Sequence, residues 1–150
     1  MGRHSPLLLI LLTLALTTAG CGGNSTTSPS STTSIASPTE TETFAGTLPV
    51  GGFSFYSFVV IQNGTVNVTL VSVSAAAGVS GSDVPATVPL GLAIGTPSGT
   101  GCGGGTVTNT VAGTDPPVTG TYKPGRYCVN VSDVGSLAAP ASFIVTIAHP

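Results

Sequence analysis

Charge is what this 150-residue sequence has least of. It holds three Lys and Arg against five Asp and Glu, so 5% of its residues are charged where about 25% is usual. No basic patch can be assembled to displace counterions from phosphates, which excludes nucleic acid as a partner. Tryptophan is absent and tyrosine occurs three times, so a platform for stacking on sugar rings would rest on Tyr122, with Phe53 or Phe55 beside it. Two cysteines beyond the N-terminal region and one distant histidine supply too few ligands for a zinc site. Asp83, Asp115 and Asp133 stand apart with no second acid in the same short loop, and Glu40 and Glu42 fall in a Ser/Thr-rich stretch. That spacing offers neither a calcium loop nor the carboxylate pair of a glycosidase. A Ser-His-Asp triad would need His149, which lies next to the C-terminus, where a chain is expected to fray. The reading is of no catalytic residue, no metal and no cofactor.

What is present begins with a targeting pattern. Arg3 and His4 precede the apolar run Leu7 to Leu16 (LLLILLTLAL), and the small residues Thr17-Thr18-Ala19-Gly20 follow, which is the build of a secretory signal. The apolar run is 10 residues, while a mature bilayer span takes about 20, so a permanent transmembrane anchor is the weaker alternative. Thr18-Ala19-Gly20-Cys21 resembles the bacterial lipobox, with Thr18 where that motif usually has Leu. The resemblance implies cleavage before Cys21, which would then carry a thioether-linked diacylglycerol and an amide-linked acyl chain such as palmitate. Several acyl chains hold a protein on a membrane where one is marginal. Gly22 is not the Asp that favours inner-membrane retention, so an exported protein on the outer membrane or cell surface of the envelope is expected.

Three segments follow: a cleaved signal over residues 1–20, a lipidated tether over 21–42 and a folded domain over 43–150. The stretch Gly22 to Glu42 is 12 of 21 residues Ser or Thr, with Ile35 its one large apolar side chain, and cannot bury enough to order itself. Beyond Thr43, Val, Thr, Phe and Tyr recur with period two between Gly, Pro and Asn punctuation, an all-β pattern. Seven strands are predicted: 44–48, 53–62, 65–74, 88–96, 106–112, 126–133 and 142–149. Asn63-Gly64 suits a type I′ turn, so the second and third should form a hairpin. Lys123-Pro124-Gly125-Arg126 suits a type II turn. Tyr56 and Tyr127 should point inward.

The strands Phe44-x-Gly46-x-Leu48, Tyr56-x-Phe58-x-Val60, Gly64-Thr65-Val66-x-Val68-x-Leu70 and Pro124-Gly125-x-Tyr127-x-Val129-x-Val131 resemble the bacterial pre-peptidase C-terminal domain and its relatives. The resemblance covers nearly all of the folded part. It implies a jelly-roll-like antiparallel β-sandwich of about seven to eight strands that usually accompanies secreted peptidases, although this chain carries no peptidase.

With Cys21 lipidated, Cys102 and Cys128 remain as an even pair in an exported domain, which reads as a disulfide rather than two free thiols. Tyr127, Val129 and Val131 alternate toward the core, so Cys128 should face outward beneath the Gly-rich loop. Gly99-Thr100-Gly101-Cys102-Gly103-Gly104 matches G-x-G-x-x-G literally but leads into a strand, so it is read as loop and not as a dinucleotide site. Two functions stay open. One is a membrane-anchored, non-catalytic interaction module contacting envelope proteins or polymers; the other is a carbohydrate-binding module at the cell surface.

Overall fold

Alternation of inward and outward side chains shapes the long strands in residues 35–78 and 84–150, the part of the chain that this computed structural model describes. Nine strands form among the described residues: β1 Glu40–Leu48, β2 Phe53–Val60, β3 Gly64–Ala75, β4 Leu90–Ser98, β5 Gly101–Gly103, β6 Thr108–Thr110, β7 Val118–Tyr122, β8 Gly125–Asp133 and β9 Ala141–His149. One sheet runs β1-β9-β3-β7 and the other β2-β8-β4-β5, with β6 also on β4. All strand pairs are antiparallel. Successive strands mostly change sheet, and with β5 and β6 sharing one edge this order is a jelly-roll β-sandwich.

Between the sheets lie Leu48, Phe58, Val60, Val66, Val68, Leu70, Leu90, Leu92, Val129, Val131, Phe143, Val145 and Ile147, all buried. A bulge at Val71 shifts the register of β3 between Leu70 and Ser72. That extra residue reverses the phase, so Val73 turns inward after Leu70 and Val71 is left exposed. On the outer face of the first sheet, hydroxyls replace charge: Thr47, Ser142 and Ser74 lie opposite one another, as do Thr43, Thr146 and Thr69.

Several sequence expectations are overturned. The hairpin at Asn63-Gly64 does not form, because β2 pairs with β8 while β3 pairs with β7 and β9 in the other sheet. A hairpin would lay the two apolar faces side by side, whereas a crossover sets Phe58 and Val60 on one side of the core and Val66 and Val68 on the other. Gly64 is needed for close approach instead. A Cβ there would come within 2.3 Å of Pro150 and 2.5 Å of the Ala36 carbonyl.

The type II turn at Lys123–Arg126 is likewise not made, since Gly125 is not among the glycines of positive φ. The segment carries the chain between sheets, and Tyr127 Oη donates to the Lys123 carbonyl at 3.1 Å, a tyrosine corner. Tyr56 and Tyr127 are half-buried and pack against the core, as expected. Two short strands, β5 and β7, were not anticipated. Their Gly-rich and Thr-Gly-Thr sequences carry little apolar pattern.

The start of the folded domain also shifts, and the fraying expected at His149 is not seen. β1 begins at Glu40, so Glu40 and Glu42 belong to the sandwich rather than to the tether. Even Ala36 bridges to Gly64. At the other end His149 does not fray: it is 2% exposed because β9 is held between β1 and β3.

Candidate functional site

Cys21, proposed for lipidation, and Asp83 lie outside the described residues. Cys102 and Cys128 are brought together: they form a disulfide with Cα atoms 5.8 Å apart. In β8, Val129 and Val131 take the core face and Cys128 the outer one, yet Cys128 is completely buried. What covers it is the Gly-rich segment, and small residues on both sides explain how. On the outer face of β4 stand Gly91, Ala93 and Gly95, opposite Ser132, Asn130 and Cys128 of β8. A Cβ on Gly95 would lie 2.2 Å from the Gly103 carbonyl, and one on Gly105 would lie 2.3 Å from the Ile94 carbonyl. Backbone therefore rests on backbone, and the bridge pins the segment there. The composition that mimics a dinucleotide loop serves this close packing.

Beside the covered strip the same face is open. Register places Phe53 opposite Ser132, Phe55 opposite Asn130, Ser57 opposite Cys128 and Val59 opposite Arg126. Phe53 is 59% exposed and Phe55 half-buried. Asn130 Oδ1 is buried and has no hydrogen-bond partner among the described residues.

A second concave feature, a groove of about 280 Å³, is lined by Ile35, Asn63, Thr121, Tyr122 and Lys123. The Tyr122 ring packs edge-on against Tyr127 at 5.0 Å. Partial burial, and then its neighbour Tyr127, raise the Tyr122 phenol above its ordinary pKa. Tyr122 is thus the one aromatic of the anticipated sugar platform that lies in a groove; Phe53 and Phe55 lie on the outer face of β2. A third hollow, shallow and about 410 Å³, is lined by Ala45, Thr47, Ser72, Ser74 and Ser142 over Phe143.

Three ionisable side chains have structural roles that spacing did not reveal. Asp133 Oδ2 accepts from the Gly51 amide, and Oδ1 accepts from the amides of Gly135, Ser136 and Leu137. These bonds, Gly51 first, hold its carboxyl below the usual carboxylate range. The signal available in the sequence was Asp133 followed by Gly135-Ser136, an Asx-turn composition. His149 Nε2 lies 2.9 Å from Glu42 Oε1, and the Phe58 ring packs on the imidazole at 5.3 Å. Residues 107 apart make that contact, and no local pattern encodes it. Asp115 is exposed. Among the described residues no group of three His, Cys, Asp or Glu is placed to hold a metal ion.

In comparisons with known proteins, no family model matches the chain and no curated protein matches it.

Proposed function

We propose that this chain is a membrane-anchored, extracytoplasmic bacterial lipoprotein whose β-sandwich is a non-catalytic interaction module. The observation that carries the reading is the Cys102–Cys128 disulfide, which suits an oxidising compartment outside the cytoplasm. The signal-like N-terminus ending in Ala19-Gly20-Cys21 supplies the route and the anchor. The sandwich offers broad faces of hydroxyl and apolar groups with few charges, which suits contact with other envelope components through loops and strand edges. A second reading, a carbohydrate-binding module, draws on the Tyr122 groove, whose lining combines one aromatic residue with Asn63 and Lys123.

The test is Cys21→Ser. The variant should lose labelling by radioactive palmitate and move from the membrane to the soluble fraction. Retention of the variant in membranes at the wild-type level would overturn the lipoprotein reading.

A further inference from the structure

The edge of a sheet presents unpaired N–H and C=O groups that template pairing with another strand, and folded proteins blunt such edges with charge, brevity or a covering loop. Most edges of this sandwich are blunted. β1 carries Glu40 and Glu42, β5 and β6 are three residues each, and β7 is five residues with Gly120 at its centre. β2 has none of these devices. It is eight residues long, FSFYSFVV, without charge, Pro or Gly, and among the described residues it pairs on one side only, with β8. Exposed apolar side chains gather along it: Phe53 and Val59 on its outer face, Val50 just before it and Ile61, 71% exposed, just after.

We propose that β2 is a homodimerisation edge, pairing antiparallel with β2 of a second copy about a two-fold axis through Tyr56. Antiparallel neighbours share a face only when outward residues meet outward residues. An axis through Tyr56 satisfies this, placing Phe55 opposite Ser57 and Phe53 opposite Val59, once on each side of the axis. The exposed apolar residues of the strand thereby cover one another. The two sheets that contain β2 join into one continuous ladder, and the contact is isologous and closed. Charge selects this occupant over others. β2 presents no charge to attract an acidic or basic segment, and the Ser/Thr-rich stretch of this chain would leave Phe53 and Val59 without apolar cover.

Ser57 is exposed and next to the axis, so Ser57→Glu in both copies sets two carboxylates diagonally across it, roughly 7 Å apart. Sedimentation equilibrium of the full chain in neutrally buoyant detergent should show a dimer for the wild type. Ser57→Glu and Ser57→Lys should each weaken it at least tenfold, and an equimolar mixture of the two should recover near-wild-type affinity. Thr43→Glu, on the opposite sheet's β1 edge, should leave the dimer unchanged. Recovery on mixing also shows that the variants are folded. A wild-type chain that stays monomeric through the micromolar range would overturn the proposal, as would charge variants that dimerise like the wild type. A monomer whose β2 amides resist hydrogen exchange would assign the edge to another segment of this chain and overturn it equally.

Discussion

Asp133 shows how one side chain substitutes for many in a charge-poor protein. Its two oxygens take four backbone amides from two loops, Gly51 on one side and Gly135 to Leu137 on the other. Hydrogen bonds to the ionised form lower the folded-state pKa below the unfolded value. The carboxylate therefore adds stability above the unfolded pKa, and that contribution is lost as pH falls through the folded one. Melting temperature followed by circular dichroism should drop as pH falls below the ordinary carboxylate range. In Asp133→Asn the melting temperature at neutral pH should already be lower, and that acid-dependent drop should shrink. An unchanged pH profile in the variant would remove Asp133 from this role.

At the scale of elements, the Gly-rich segment and β4 form one unit, because each needs the other's missing side chains. Gly95→Ala would drive a methyl into the Gly103 carbonyl, and relief requires lifting the segment that Cys102 holds down. Urea unfolding should show a loss of about 1 to 3 kcal/mol, the usual range for overpacking. Gly113→Ala, which meets nothing within 4 Å, should stay within about 0.5 kcal/mol of wild type. Reducing the bridge should cost about 2 to 5 kcal/mol and leave the β-sheet signal in place, since the core between the sheets is built of apolar side chains and not of sulfur. Equal stability of Gly95→Ala and wild type would show that the segment does not rest on β4.

For the whole molecule, the working boundary of the domain is the consequence with the widest reach. A fragment starting at Thr43 lacks the pairs Glu40–His149, Thr41–Ala148 and Glu42–Ile147, along with the Glu42–His149 contact. It also loses the amide bonds of Ala36 to the Asn63 carbonyl, Thr39 to the His149 carbonyl and Thr65 to the Ala36 carbonyl; at roughly 1 kcal/mol net per backbone hydrogen bond, these alone should make it about 3 kcal/mol less stable than one starting at Ile35, read from the urea midpoint. Equal midpoints would return the boundary to Thr43. The same recruitment brings Ile35 to the Tyr122 groove, a site that a tether ending at Glu42 could not have completed.

The positions and inward faces of the long strands were legible in the sequence, because period-two alternation is local: Val66, Val68 and Leu70, or Phe143, Val145 and Ile147, announce their buried side without reference to any neighbour. The disulfide was legible too, from cysteine parity together with the outward phase of Cys128. Tertiary structure alone decided which strand lies beside which. Asn63-Gly64 favours a tight hairpin locally, but burying β2 and β3 face to face across the core requires a crossover there. It also decided that Glu40, Glu42 and His149 belong to the fold, since β9 becomes a central strand only after β1 and β3 have paired on either side. Alternation says which face of a strand must leave water; which other face it meets depends on burial summed over the whole chain.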